Sequence, residues 1–324
     1  LVLFVLLLPV LIPLLNSTSL PCTHDNIWHQ YRIVAMRDMF KHGWVFACWL
    51  PNLALGYGYP FFNYREPVPY IAGELLALIE IPIPLVLGLI YAISLFAGAI
   101  GAGALADDLW GGWAGWVAGV AYGLGPYVLL DVLRRGNMPE SVALAILPWL
   151  FLSVRRVILY GRRGAFIASA TLLIGLFLSH NISSLLLAPF LGFYTLVLSI
   201  IHRRRGYWPR AFLAVGLATL VAAWFWLPAL TEQHFVQLHL SRTTRNNDFR
   251  FNFVTWREIL LTPPLSYDPN YLNPPMRVPL GIGPGLLGLL GLGGILWRDE
   301  TSARRWLAAL FGGVAIGYLW LATA

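Results

Sequence analysis

Apolar stretches long enough to cross a bilayer recur along almost the whole chain, and this decides the class of fold. A spanning helix needs about 20 predominantly apolar residues. Runs of that kind fall near 1–16, 83–103, 111–130, 139–154, 165–179, 183–201, 211–229, 281–297 and 305–323. In lipid every backbone polar group must be paired internally, so such runs form helices, and glycine or proline within them is tolerated. The expectation is an all-α polytopic membrane protein of about nine transmembrane helices, with 1–324 as a single transmembrane domain. The chain opens on Leu1 and closes on Ala324, at or inside a helix, so a fragment of a longer protein is expected.

Composition agrees. Hydrophobic residues are 58% of the chain and charged residues 11%, where soluble domains carry about 25% charged residues. The net charge of +7 comes from arginines and one lysine, Lys41. The arginines cluster in short loops: Arg155, Arg156, Arg162 and Arg163 in one, Arg203, Arg204, Arg205 and Arg210 in a second, Arg298, Arg304 and Arg305 in a third. That pattern suits orientation signals and phosphate contacts rather than a nucleic-acid groove. The positive-inside rule makes this side cytoplasmic. The expected location is the inner (cytoplasmic) membrane, with membrane lipids as surroundings. Asp107 and Asp108 fall on the cytoplasmic side.

Two long loops face the other way, at 17–69 and 230–280. In the first, Ile27, Tyr31, Val34 and Met39 recur at near-helical spacing, which predicts an amphipathic helix over 26–40 lying on the membrane surface. The aromatic and proline-rich segment from Gly56 to Tyr70 reads as ordered but irregular, at headgroup depth. Cys22 and Cys48 share this loop; their spacing carries no metal signature, and a disulfide and two free thiols are equally open.

Three extracytoplasmic stretches carry groups capable of chemistry. The first is Thr23-His24-Asp25-Asn26-Ile27-Trp28-His29. A desolvated carboxylate such as Asp25 can act as general base, or simply cap the helix that follows. His24 and His29 add nitrogen ligands for a divalent ion. The second is the short turn from Asp131 to Glu140. It holds Arg134 and Arg135, whose forked guanidinium groups suit phosphate, between the acidic residues Asp131 and Glu140. The ordinary reading is snorkelling arginines and a helix-end glutamate. The third is Ser179-His180-Asn181, whose histidine is equally a structural hydrogen-bonder. In the second long loop, Arg242 and Arg245 are candidates for a second phosphate.

Taken in order, His24-Asp25, Gly56-Tyr57-Gly58-Tyr59-Pro60-Phe61-Phe62-Asn63-Tyr64 with Pro67, Arg135-Gly136-Asn137-Met138-Pro139-Glu140 and Ser179-His180-Asn181 form a familiar set. The chain resembles the GT-C superfamily of membrane glycosyltransferases, and within it the bacterial membrane domain labelled 6-pyruvoyl-tetrahydropterin synthase-related. The resemblance covers about residues 17 to 200, and the label carries no pterin chemistry. It implies a GT-C-like helical bundle that transfers a sugar from a polyprenyl-phosphate donor to an extracytoplasmic glycan, lipid or protein acceptor. By the same resemblance Asp25 activates the acceptor. Glu140, with Asp25 and His24, holds a divalent cation (Mg or Mn), and Arg134, Arg135, Tyr64, His180, Arg242 and Arg245 contact substrate. No paired acidic motif follows the first helix, which sets the chain apart from many such enzymes. The rival reading is a transporter or flippase for a lipid-linked or anionic solute. Against it stand the lack of an internal repeat and the gathering of polar groups on one side.

Overall fold

A computed structural model describes residues 2–15, 19, 23–44, 47–203, 206–237, 240, 248–251, 253–261, 280–297 and 301–323. Of the residues named above, Cys22, Arg204, Arg205, Arg242, Arg245 and Arg298 lie outside them. Cys48 carries a free, exposed thiol.

All nine apolar segments are helical. They are α1 (Val2–Leu14), α5 (Ile83–Trp110), α6 with α7 (Trp113–Gly123, Pro126–Leu130), α8 (Met138–Tyr160), α9 (Arg163–Phe177), α10 (Asn181–Ile201), α11 with α12 (Trp208–Val221, Ala223–Thr231), α14 (Ile282–Trp297) and α15 (Ser302–Thr323). Between them lie α2 (Asn26–Lys41), α3 (Phe61–Tyr64), α4 (Val68–Ala77) and α13 (Trp256–Leu260). Among the described residues five helices are long and apolar enough to cross a bilayer, or six when α11 and α12 count as one bent span. Nine runs of apolar sequence therefore yield fewer full-length spans, because α1, α9 and α14 are apolar but short.

The bend between α11 and α12, 59°, falls where a straight helix over 211–229 was expected. The Trp226 indole N–H donates to the Thr219 carbonyl oxygen at 3.0 Å, taking an acceptor that the straight ladder would use for a backbone N–H. A side chain inserted into the ladder in this way is a standard cause of a kink.

The segment expected to be irregular contains α3 and α4. Proline at the first positions of α4 opens the helix, since its missing N–H needs no partner there. Residues Asp131–Arg135, expected as part of a short turn, instead continue the preceding helix as a π turn. Helix and turn together run as one 23-residue element, Trp113–Arg135.

α5 and α8 run in the same direction and pack on each other, and Trp113–Arg135 returns the chain from the end of one to the start of the other. Their far ends are tied by Asp108, which accepts from Arg155 Nε at 2.7 Å and from Arg156 Nε at 3.2 Å. Around α8 the main core gathers Leu150, Phe151, Val154, Leu176, Tyr194 and Leu198. A second core sits at the opposite end, where Ile33 and Met36 of α2 and Tyr70 of α4 pack against Leu87, Ile90 and Tyr91 of α5. α1 reaches this end as well. Gly88 admits its backbone so closely that a Cβ there would lie 1.7 Å from the Leu14 carbonyl oxygen.

The inner face of α2 is thus Asn26, His29, Ile33 and Met36. The stripe Ile27, Tyr31 and Val34, read from the sequence as its apolar face, points outward and is exposed together with Trp28.

Candidate functional site

The site is built at the second core, where the chain entering α2 crosses the π turn. The Asp131 carbonyl oxygen accepts from Gly136 N–H at 2.7 Å, five residues on. A π turn inside a helix is rare and recurs at functional sites. Gly136 then turns left-handed at φ +68, and a Cβ there would lie 2.2 Å from Thr23 Oγ1 and 2.6 Å from Asn26 Oδ1. Only glycine lets the two segments approach this closely. They are joined backbone to backbone: His24 N–H donates to Arg134 O at 3.2 Å and Asp25 N–H to Arg135 O at 2.9 Å. The buried Tyr91 hydroxyl lies beneath, 2.6 Å from Gly136 O and 2.7 Å from Asn26 Oδ1.

The charges around this crossing sort into engaged and unengaged. Arg135 Nη1 donates to Glu140 Oε2 at 2.5 Å and lies 3.6 Å from Asp131 Oδ1. Glu140, only 6% exposed, also accepts from Asn137 Nδ2 at 3.0 Å and from the Tyr127 hydroxyl. Asp131 Oδ2 accepts from Ser141 Oγ at 2.9 Å, while its buried Oδ1 has no hydrogen bond among the described residues. Arg135 is thus the cation that both buried carboxylates face, engaging Glu140 closely and Asp131 at longer range.

Asp25 is different. It stands at the N-cap position of α2, yet its side chain makes no capping bond; Thr23 Oγ1 accepts from the Asn26 N–H at 3.1 Å. The Asp25 carboxylate is half-buried and, among the described residues, forms no hydrogen bond or ion pair, though Arg135, Asp131 and Tyr91 lie within its electrostatic reach. The neighbouring Arg134 guanidinium has no ion-pair partner among the described residues either. His24 joins the crossing through its backbone.

The other expected residues are placed as follows. His29 is buried and tied at both ring nitrogens: Nε2 accepts from the Met138 N–H at 3.4 Å and Nδ1 lies 2.9 Å from the Tyr70 hydroxyl. Burial, then the charges of Arg32 and Arg65, push its pKa down to about 3, so it is a neutral strut between α2, α4 and α8. His180 caps α10, its Nδ1 accepting from the Ser183 N–H at 3.3 Å. Burial lowers its pKa too, with Glu140 and Glu66 acting in the opposite sense. It stands between the crossing and Glu66. The Tyr64 hydroxyl donates to Glu232 O at 3.3 Å, tying α3 to the end of α12.

Sequence reading missed several contributors. Glu66 is buried and its Oε1 accepts from the Asn181 N–H at 2.7 Å. Tyr91, Tyr127, Asn137 and Ser141 supply the hydrogen bonds just described. A carboxylate or phenol that serves a distant backbone carries no local signal. The sole hint was Asn137 three residues before Glu140, a helix-start spacing.

The divalent cation does not fit what the described residues offer. Glu140 oxygens are committed to Arg135, Asn137 and Tyr127. Among the described residues no three of His, Cys, Asp and Glu gather as a metal-ligand group.

Residues 62–262 match the family described as "6-pyruvoyl-tetrahydropterin synthase related domain; membrane protein". The chain belongs to this family. No curated protein and no solved structure matches it. The part shared with the 6-pyruvoyl-tetrahydropterin synthase-related family includes Glu66, the π turn, Glu140 and His180, whereas Thr23 to His29 precede it. This family member is a multi-pass helical membrane protein.

Proposed function

We infer that this protein is a glycosyltransferase of the GT-C type, moving a sugar from a polyprenyl-phosphate donor to an acceptor outside the cytoplasm. One observation carries the reading: the Asp25 carboxylate caps nothing and, among the described residues, forms no hydrogen bond or ion pair, while its backbone is bonded to the turn that carries Arg134 and Arg135. Here Asp25 takes the proton of an acceptor hydroxyl while that oxygen attacks the anomeric carbon of the donor sugar. The bond from that carbon to the phosphate oxygen breaks, and the departing phosphate meets the Arg134 guanidinium. Charge stabilisation of a leaving oxyanion by a preplaced donor is the larger part of such catalysis. Arg135 positions the crossing through Glu140 and Asp131 rather than contacting phosphate itself.

The surroundings support a lipid donor. An apolar cavity of about 200 Å³ lies between α8, α9, α10 and α11, lined by Leu150, Phe151, Leu176, Leu191 and Val215. Ser184, also in its lining, donates to the His180 carbonyl oxygen at 2.8 Å, so the cavity begins one helical turn from the site. It suits a prenyl tail. The outward stripe of α2, Ile27, Trp28, Tyr31 and Val34, suits seating in the headgroup layer at the outer face of the inner membrane. The buried carboxylates Glu66, Glu74, Asp131 and Glu140 all belong to the end that carries Asp25, which favours an enzyme over a path through the bundle.

The test is transfer of labelled sugar from polyprenyl-phosphate donors by purified protein in lipid. Asp25→Asn should abolish it with the fold intact. Full activity in that variant would remove the reading.

A further inference from the structure

Two arginines are fixed to one turn at the far end of α8. Gly161 ends that helix left-handed, at φ +60, and faces Tyr207 so closely that a Cβ there would lie 2.6 Å from the ring. The Tyr207 N–H donates to Ile158 O at 2.7 Å, so the turn into α9 is packed on the turn into α11. Arg210 spans this joint: its guanidinium lies 4.9 Å from the centre of the Tyr207 ring, and Nη1 donates to Gly161 O at 2.6 Å. Arg162 follows that carbonyl directly in the chain, and its guanidinium lies 5.1 Å from the centre of the Tyr160 ring. Both cations are therefore held by direct contacts within Tyr160-Gly161-Arg162, and Arg163 comes next, as the first residue of α9.

No carboxylate answers this charge. Among the described residues Arg162, Arg163 and Arg210 form no ion pair, and all three are exposed. Of the acids at this end, Asp108 is shared by Arg155 and Arg156. Asp107 belongs to the contact between α5 and α6, where a Cβ on Gly115 would lie 2.9 Å from the Asp107 Cβ. Arg210 spends one of its five N–H donors on Gly161 O, and the Arg162 guanidinium spends none among the described residues. The surroundings are those of a membrane interface. Tyr160, Tyr207 and Trp208 are exposed, and such residues gather at headgroup depth. Trp208 and Phe212, one turn apart on α11, are exposed and pack edge to face, so an apolar strip leads from the cations along the helix.

We propose that this corner seats the phosphate of an anionic phospholipid between Arg162 and Arg210, with an acyl chain lying along Trp208 and Phe212. Two forked donors suit phosphate oxygens. The apolar strip selects a lipid over soluble phosphate, and the surplus of positive charge selects an anionic headgroup over a zwitterionic one. The bound headgroup also relieves repulsion between the two basic turns, and so fastens α9 to α11. The seat lies at the opposite end of α8 from the crossing and makes no use of Asp25.

The experiment measures lipid binding, so it stands or falls separately from sugar transfer. The full chain is purified in detergent and titrated with phosphatidylglycerol or phosphatidylcholine, and bound lipid is counted by native mass spectrometry. The parent should retain phosphatidylglycerol in preference to phosphatidylcholine, with millimolar inorganic phosphate leaving it bound. Arg162→Gln and Arg210→Gln should each weaken retention about fivefold, the worth of one basic residue beside an anionic headgroup. Arg203→Gln removes an exposed charge from the same end but none of these contacts, and should leave retention unchanged. Arg210→Gln also loses the bond to Gly161 O, so Arg162→Gln decides if that variant fails to fold. Arg162 is exposed, and its variant should melt near the parent value without lipid while gaining less from added phosphatidylglycerol. Equal retention by parent and Arg162→Gln overturns the seat. So does an equal loss in Arg203→Gln, which marks diffuse attraction, and so does displacement of the lipid by inorganic phosphate.

Discussion

Thr23, two residues ahead of Asp25, accepts the Asn26 N–H at 3.1 Å, three residues on as a capping side chain does, while the Asp25 carboxylate caps nothing. Capping and chemistry are thereby assigned to different side chains. Thr23→Ala should cost about 1 kcal/mol, the usual worth of such a cap, seen as a lower melting temperature. Asp25→Asn should leave melting unchanged while transfer falls by about 10²–10⁴, the range for loss of a general base. A destabilised Asp25→Asn would instead mark the aspartate as part of the scaffold.

The two adjacent arginines should separate cleanly. Among the described residues Arg134 has no ion pair, so Arg134→Gln should weaken donor binding and spare stability. Arg135→Gln strips the partner from the buried Glu140 and should cost about 1–3 kcal/mol, as for an abandoned buried polar group. Measuring melting temperature and donor affinity for both variants checks the assignment; equal effects of the two would undo it.

Gly136→Ala should be disruptive out of proportion to one methyl group. At φ +68, with Thr23 Oγ1 2.2 Å from the new Cβ, the crossing cannot close, and limited proteolysis ahead of α2 should become faster. Thr23→Gly added to Gly136→Ala should relieve part of the damage.

Two buried groups give stability a pH dependence of opposite sign. His29 has its pKa pushed from 6.5 to about 3, so between those values the unfolded chain binds more protons, and stability is lost as pH falls through this window. Glu74 is buried with both oxygens unpartnered among the described residues. Burial raises its pKa from 4.5 to about 7, partly offset by Arg37 and Lys41. There the folded form binds more protons, and stability is lost as pH rises from 4.5 to 7. Glu74→Gln should remove that loss, so its melting temperature relative to the parent should climb across the same interval. A constant difference between the two curves would contradict the burial argument.

The helices were legible because length and apolarity alone specify them. Three of the places where reading and structure part company have other causes. The π turn at Asp131–Arg135 arises from how the 23–26 segment packs on it, which no local propensity encodes. The periodic stripe of α2 was real, but its outward direction depends on Ile33 and Met36 filling the core beside Tyr91. Pro67 and Pro69 signal a break and a helix start with the same residue type. Of the site, Asp25, Arg134, Arg135, Glu140 and His180 were nameable from residue type near an apolar boundary. Their pairings were not, since Glu66 to Asn181 and His29 to Met138 join residues more than a hundred positions apart.

The joint between His24-Asp25 and Arg134-Arg135 is made wholly of main-chain atoms. Its two hydrogen bonds therefore make no direct use of the His24, Asp25 and Arg134 side chains. The groups displayed at those three positions are free to change while the framework holding them goes undisturbed.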